Sequence, residues 1–181
     1  MRRRSHIELG HFLLRKYMPD ISPSCARAFL LGCTEPDQNP LSYLKGSLRA
    51  QWLRGHNYDN AARFIRRLSL RLERKTSFGL WDYYSLGKLI HYTADAFTYA
   101  HNRSFPRDLQ QHHVYEVALQ DHFLAFMKKA IPCERPNSDT VWELIRSAHN
   151  QYLLSPARIA KDTDFAFTVS CAVMNRLAIA C

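Results

Sequence analysis

The sequence predicts an all-α protein, and three observations lead to that prediction. Apolar residues recur at helical spacing along nearly the whole chain, and strict apolar–polar alternation is never sustained. Only 6 of the 181 residues are glycine. Apolar residues make up 46% and charged residues 23%, a balance that excludes disorder, collagen-like repeats and disulfide-rich miniproteins. At this length we expect one compact domain spanning residues 1–181 with six to eight helices.

Prolines, glycines and capping residues divide the chain into the expected helices. A first helix is expected to stop near Pro19, and a second, over about residues 24–31, to end at Gly32 as a C-cap. Residues 33–40 are polar and contain two prolines, which predicts a loop. The broadest apolar face lies in residues 81–100. The remaining helices are expected over residues 58–75 and 107–129, from a cap at Ser138-Asp139 to about Leu153, and from a cap at Thr163-Asp164 to Ala180.

The chain is strongly basic, with 25 lysines and arginines against 16 acidic residues and a net charge of +9. Such a charge favours partners that carry phosphate, namely nucleic acid, anionic lipid or phosphorylated small molecules, without choosing among them. Some of the basic residues form a stripe along one side of the helix expected over residues 58–75. The stripe is typical of a solvated face, and it could also contact an anionic membrane surface or nucleic acid. Its members are Arg63, Arg67, Arg71 and Arg74.

Nothing in the sequence predicts a transmembrane segment or an export signal. No apolar run approaches the roughly 20 residues that cross a bilayer. His6, Glu8 and His11 fall where a signal peptide would need a continuous apolar stretch. The five cysteines are odd in number and lack metal-binding spacing, which favours reduced thiols. We therefore expect a cytoplasmic location.

Histidines and carboxylates recur at a spacing that suits metal binding. His91 and Asp95 are four residues apart in the strongest predicted helix, so they share one helix face, and His112 and Glu116 repeat this spacing in the next helix. His101 lies between the two pairs. An antiparallel helix pair would bring all five side chains together, and nitrogen and carboxylate ligands without cysteine fit an open, catalytic zinc site. One such pair is usually a solvated surface interaction, and spacing alone does not decide between the two interpretations.

The same segments, taken in order, resemble the zinc-dependent phospholipase C family. That family carries a helix of the form L-G-x-x-x-H-Y-x-x-D, a histidine just beyond it, and then H-x-x-Y-E. In this chain residues 86–95 read LGKLIHYTAD, His101 follows, and residues 112–116 read HHVYE. The resemblance implies the all-α fold that these phospholipases share with single-strand nucleases.

Three upstream segments extend the resemblance. Ser5-His6 is similar to an early ligand histidine of the family. Residues 32–37, GCTEPD, resemble a loop that ends in a ligand aspartate, and residues 55–59, GHNYD, resemble an H-x-Y-D segment. The ordered motifs together cover residues 5–116, and the final third of the chain matches only as generic helix.

The resemblance implies a set of metal ligands in one cleft. In the family, a third zinc ion also binds the amino group and carbonyl of an N-terminal tryptophan. Only five residues precede His6 and none is tryptophan, so we expect this third position to be weak, differently completed or empty. The expected cofactor is two to three Zn²⁺ ions. The implied ligands are Asp37, His56, His91 and Asp95 for the first ion, His101, His112 and Glu116 for the second, and His6 with a bridging Asp95 for the third.

The implied reaction is hydrolysis of a phosphodiester, in a phospholipid or a related compound, by a metal-activated water. Asp37 is expected to bind metal and also to orient or deprotonate the attacking water. No substrate-binding residues are predicted. Two alternatives stay open. One is a single-strand nuclease or nucleotidase of the same superfamily, for which nucleic acid is the partner; the other is a non-catalytic domain that zinc stabilises.

Several neighbouring residues are expected to have other roles. On a helix His113 points about 100° away from His112, and the spacing to Glu116 makes His112 the expected ligand. Asp59 is expected to act as a favourable charge at a helix N-terminus, Glu35 as a solvated loop carboxylate, and Cys33 as a structural residue. Surface or packing positions are expected for His11, His122 and His149.

Overall fold

The computed structural model describes residues 1–38, 58–103, 105, 109–132 and 140–178. These residues form seven α-helices and no strand, which confirms the all-α class. That the whole chain is one domain stays a prediction. The helices are α1 (Arg3–Tyr17), α2 (Pro23–Gln38), α3 (Tyr58–Glu73), α4 (Leu80–Ala96), α5 (Leu109–Met127), α6 (Val141–Leu153) and α7 (Ile159–Leu177), with a short 3-10 helix (Tyr99–His101) between α4 and α5.

Helix α4 forms the centre of the fold, because 13 of its 17 residues are buried. It packs against α2, α3 and α7, and it also contacts α1. A helix that is covered on most sides is usually apolar all round, but α4 also buries polar side chains. His91 and Asp95 are accordingly 0% and 1% exposed, so the strongest sequence motif lies in the interior.

Helix α2 continues to Gln38, so the prediction that it ends at Gly32 was wrong. The loop predicted over residues 33–40 is helix as far as Gln38, and residues 39 and 40 lie outside the described residues. Pro36 lies inside the last turns of the helix. The difference matters for the site, because Asp37 is held on a helix and not on a loop.

Gly32 is needed for a close approach between α2 and α4, and not for a helix end. A Cβ atom at Gly32 would lie 2.1 Å from the carbonyl oxygen of Tyr84 on α4. A Cβ atom at Gly87 on α4 would lie 2.1 Å from the carbonyl oxygen of Phe29 on α2. Two glycines facing each other's backbones thus bring the helices together, and this tertiary contact overrides the local tendency of glycine and proline to end a helix.

Gly87→Ala is expected to lower the free energy of unfolding by about 2 kcal/mol, because the added Cβ can be accommodated only by shifting the backbone of α2. Gly79→Ala is the matched control, since a Cβ there lies 3.8 Å from its nearest neighbour, Oδ2 of Asp82. Urea denaturation measures both, and we expect less than about 1 kcal/mol for the control. Equal stabilities of the two variants would contradict the close approach.

Helix α4 ends at Ala96, four residues before the predicted end, because side chains donate the hydrogen bonds to its terminal carbonyl groups that a further helical turn would have donated. Nδ2 of Asn102 donates hydrogen bonds to the carbonyl oxygens of Ala96 and Thr98, at 3.0 and 2.8 Å. The chain then turns through the 3-10 helix, which carries His101. Asn102 is 6% exposed, so this turn is fixed from the interior.

The helices of the C-terminal third begin at other residues than predicted. The N-cap of α6 is Thr140, whose Oγ1 accepts a hydrogen bond from the backbone N–H of Glu143 at 3.1 Å; the predicted cap at Ser138-Asp139 lies outside the described residues. Helix α7 begins at Ile159, four residues before the predicted cap.

Among the helices that the structure describes, none combines the length and the apolar character that crossing a membrane requires.

Candidate metal centre

Two groups of histidine and carboxylate side chains meet where α1, α2, α4 and α5 converge. In each group, the ligand atoms offered by the side chains all lie within 4.8 Å of one another. The first group is the more buried, and the second is half-buried. The first group is His6 on α1, Asp37 on α2, and His91 and Asp95 on α4, and the second is His101 on the 3-10 helix with His112 and Glu116 on α5.

Asp95 connects the two groups. Its Oδ1 lies 3.2 Å from Nε2 of His6. Its Oδ2 lies 3.2 Å from Nε2 of His91 and 3.8 Å from Nε2 of His101. Each oxygen of one buried carboxylate therefore faces histidine nitrogens, and the two groups form one centre.

His91 and His101 both have their outer ring nitrogen fixed by a hydrogen bond. Nδ1 of His91 lies 2.9 Å from the carbonyl oxygen of Cys33, which can only accept, so Nδ1 is the donor. Nδ1 of His101 lies 2.7 Å from Oγ1 of Thr98, and that hydroxyl already donates to the carbonyl oxygen of Asp95. His101 therefore donates to Thr98. In both histidines Nε2 is left to face Asp95, at 3.2 and 3.8 Å, and fixing the other ring nitrogen in this way is how proteins orient metal-binding histidines.

His6 is a buried histidine without a full set of protein partners. It is 1% exposed and stacks on the ring of His91 at 4.1 Å. Its Nδ1 makes no hydrogen bond within the described part of the chain. Burial and the neighbouring His91 lower the pKa of His6, which favours the neutral form that binds metal. Buried imidazole nitrogens together with carboxylates are a donor set that fits zinc.

The electrostatics of the centre favour an ionised Asp95. Burial alone would raise the pKa of its carboxyl group. The charges of His101, the N-terminal amino group, His91 and His6 outweigh burial and hold this pKa well below its usual range. Burial likewise opposes protonation of His91, but Asp95 and Asp37 raise its pKa. The centre therefore holds negative charge that must be balanced by cations.

The amino group of Met1 provides one such cation. It lies 2.5 Å from Oδ1 of Asp95 and 3.6 Å from Oε1 of Glu116. Burial opposes its charge, but Asp95, Glu116 and Asp37 raise its pKa. The amino group therefore lies between a carboxylate of the first ligand group and one of the second. How the third metal position is completed stays a prediction.

The structure also places the residues that were not expected to bind metal. His113 is exposed whereas its neighbour His112 lies in the second group. The interpretation of Glu35 as a solvated loop carboxylate was wrong, because it lies on α2 and pairs with Nζ of Lys88 at 3.2 Å. Cys33 is buried, and its carbonyl oxygen is the acceptor for Nδ1 of His91. The predicted ligand His56 lies outside the described residues.

Four of the remaining predicted residues concern packing, the surface and helix ends. Asp59 lies in the first turn of α3, as expected, and it pairs with Nε of Arg103 at 2.5 Å. His11 is exposed, and Nδ1 of His122 lies 3.0 Å from Oγ1 of Thr163. His149 is buried against the ring of Tyr58. None of these residues belongs to either ligand group.

Asp162 supports the second ligand group, and sequence reasoning missed it. This carboxylate at the start of α7 is 0% exposed. Its Oδ2 accepts hydrogen bonds from the backbone N–H of Tyr99, at 2.9 Å, and from the hydroxyl of Tyr115, while Oδ1 accepts from the hydroxyl of Tyr152 at 2.8 Å. Tyr99 is two residues before His101, and Tyr115 directly precedes Glu116. No local spacing in the sequence predicts these contacts, because they join residues up to 63 positions apart.

His149 holds the turn that carries His101, and its environment makes stability depend on pH. Its Nε2 lies 2.9 Å from Oδ1 of Asn102 and acts as the donor. Burial lowers the pKa of His149 to about 4, from 6.5 in the unfolded chain. The unfolded chain therefore binds more protons between these values, so stability is complete above pH 6.5 and is lost as the pH falls toward 4.

We expect this loss to reach about 3 kcal/mol, from a shift of about 2.5 pKa units. His149→Gln keeps a hydrogen-bond donor but does not titrate, so its unfolding free energy should fall less steeply over this range. Urea denaturation at several pH values measures the difference. The same pH slope for both proteins would contradict a depressed pKa of His149.

Comparison with known proteins agrees with this geometry. Residues 5–159 of the chain match the family model described as zinc dependent phospholipase C. The match includes both ligand groups and the undescribed segment that contains His56. No curated protein matches the chain. No solved structure matches it either.

Proposed function

The chain belongs to the zinc-dependent phospholipase C family, and from that premise we propose that it hydrolyses the phosphodiester bond of a phospholipid. The observation that carries the proposal is the centre built around Asp95, where side chains of both ligand groups face one carboxylate and Nε2 of His91 and of His101 faces its Oδ2. A purely structural core would bury apolar side chains at these positions, because removing polar and charged groups from water is costly.

The two ligand groups would hold two to three zinc ions. When bound, zinc polarises the phosphodiester and lowers the pKa of a water molecule to near neutrality. His6, His91 and Asp95 supply buried ligands from two helices, and their fixed positions avoid the reorganisation that flexible ligands would require. The second ion would be held by His101, His112 and Glu116. His56 is the additional ligand that the family resemblance implies for the first ion.

Asp37 is the proposed catalytic residue. Its side chain is 22% exposed, whereas Asp95 is 1% exposed, so Asp37 is the carboxylate of the first group that water and substrate can reach. Its Oδ1 lies 3.6 Å from Nε2 of His91. From this position Asp37 would orient the attacking water and accept its proton. The water oxygen forms the new bond to phosphorus, the bond to the lipid oxygen breaks, and that oxygen leaves with a proton.

Asp37→Asn tests this role. The variant is expected to lower turnover of a soluble p-nitrophenyl phosphocholine ester by about a hundredfold, the lower range for loss of a general base. Metal content must be measured on the same sample, because Asp37 also belongs to a ligand group. His113→Ala is the control, since His113 is exposed beside the second group. Full turnover of Asp37→Asn with metal still bound would remove the proposed role.

A second candidate function is hydrolysis of single-stranded nucleic acid. The observation that favours it is the predicted arginine stripe, of which three members lie on α3 and Arg74 directly follows it, all four being exposed, together with the net charge of +9. Assays with phospholipid micelles and with single-stranded DNA and RNA discriminate the two. If neither substrate is hydrolysed and His91→Ala lowers only thermal stability, the non-catalytic zinc-stabilised domain is the better account.

A further inference from the structure

We propose that the protein docks on an anionic phospholipid bilayer through one surface at the start of α4, and this proposal rests on the phospholipase function proposed above. The surface lies where α4 is flanked by the middle of α2 and the end of α3. We call it the docking face. It consists of Leu31 on α2, Leu80, Trp81 and Tyr84 on α4, Arg71 in the last turn of α3, and Lys75 two residues after that helix.

Large apolar side chains are exposed on the docking face. Trp81 is 74% exposed, Leu31 55% and Leu80 49%. Trp81 contacts the ring of Tyr84 edge to face. Leu31 directly precedes Gly32, which packs against the backbone of Tyr84. Three of the seven large apolar residues exposed in the described part of the chain thus belong to the stretches of α2 and α4 that adjoin at Gly32 and Tyr84, and tryptophan and leucine beside cations are typical of surfaces that enter the membrane interface.

Cations border these apolar side chains. Nη2 of Arg71 lies 2.8 Å from Oδ1 of Asp82, and Nζ of Lys75 lies 3.3 Å from Oδ2 of the same residue. Two cations share one carboxylate, so the group keeps a net positive charge. Both side chains are close to half exposed, at 47% and 44%. They can therefore also contact anionic headgroups next to Trp81.

The docking face and the candidate metal centre lie on the same side of α4. Trp81, Tyr84, Lys88, His91 and Asp95 follow one another at intervals of three or four residues, which places them on one helix face. Trp81 and Asp95 are 14 residue steps apart, about 21 Å along the helix. Lys88 lies between them, over the ring of Tyr84 at 5.2 Å. Docking through Trp81 would thus turn the side of α4 that carries the metal ligands toward the bilayer.

A lipid surface fits the docking face better than nucleic acid does. Nucleic acid offers phosphates to Arg71 and Lys75 and a base to stack on Trp81. It offers no apolar phase for Leu31 and Leu80, whereas a bilayer accommodates all three apolar side chains together with the cations. Trp81 and Tyr84 also lie on the same side of α4 as the candidate ligands His91 and Asp95.

Vesicle sedimentation tests the proposal. Vesicles of phosphatidylcholine alone and with about 30% phosphatidylserine are mixed briefly at 4 °C with wild-type protein, Trp81→Ala and Leu154→Ala. Leu154 is the matched control, because it is 86% exposed at the end of α6, outside the docking face. Wild type should bind the anionic vesicles more tightly than the neutral ones, and less tightly as salt is raised. We expect Trp81→Ala to weaken partitioning about tenfold and Leu154→Ala to change it less than about twofold.

The outcomes separate this proposal from the proposed function. Trp81→Ala should hydrolyse a soluble phosphodiester as wild type does, because Trp81 does not belong to either ligand group. If the soluble ester is hydrolysed but wild type does not bind vesicles, the docking proposal is wrong and the proposed hydrolase function is retained. If vesicles are bound through Trp81 but nothing is hydrolysed, the docking proposal is retained and the proposed hydrolase function is wrong. Three results would overturn the proposal. Trp81→Ala could bind the vesicles as tightly as wild type, wild type could bind neutral vesicles as tightly as anionic ones, or the protein could bind single-stranded DNA in place of vesicles.

Discussion

Asp95→Asn is expected to lower hydrolysis by more than about a thousandfold and to deplete zinc from both ligand groups. Asp95 faces His6 through one oxygen and His91 and His101 through the other. Asparagine replaces one of these oxygens by an NH₂ group, which cannot bind metal and carries no negative charge. Loss of partners that merely orient ligands already costs about 10- to 100-fold, so loss of a ligand shared by two groups should cost more.

The measurement pairs a hydrolysis assay with metal analysis of the same sample. Asp121→Asn is the control, because this carboxylate is exposed on α5 and belongs to neither ligand group. The control should keep both zinc and activity. Wild-type zinc content in Asp95→Asn would contradict the central position that the geometry gives this residue.

Asp162→Asn is expected to lower the free energy of unfolding by about 3 kcal/mol. Its carboxylate accepts three hydrogen bonds in the interior, from Tyr99, Tyr115 and Tyr152. An asparagine NH₂ group would face donors, and a buried donor without an acceptor costs about 1–3 kcal/mol, more where a charge was involved. Urea denaturation measures the effect.

The same substitution should also weaken zinc binding by the second ligand group. Asp162 holds the chain beside His101 and Glu116, through Tyr99 and Tyr115. Asp164→Asn is the matched control, since Asp164 lies on the same helix but is exposed. We expect the control to change stability by less than about 0.5 kcal/mol. Similar stability of the two variants would show that the buried network contributes little.

Local patterns in the sequence predicted the parts of the centre that lie on single helices. The spacing of His91 and Asp95, and of His112 and Glu116, identified pairs that the structure indeed brings into two neighbouring groups. Helical periodicity also predicted α4 as the best helix, and this helix forms the centre of the fold. These features depend on residues three or four apart, which is the range over which helical geometry is fixed.

Features that depend on tertiary contacts could not be predicted in the same way. Gly32 and Pro36 indicated a helix end, but packing of α2 against α4 keeps the helix intact to Gln38. The acceptor role of Thr98 depends on how the chain turns after α4. Asp162 contacts residues far away in sequence, and it lies beyond the segment that resembles the family. The cytoplasmic location stays a prediction.

Zinc content per chain tests the central claim most directly. It should be measured by plasma mass spectrometry on full-length protein purified without a metal-affinity tag or chelator. The two ligand groups around Asp95 predict two to three zinc ions per chain, and Asp95→Asn should retain fewer. No bound zinc, even after zinc is added back to the purified protein, would contradict the metal centre and the hydrolase built on it.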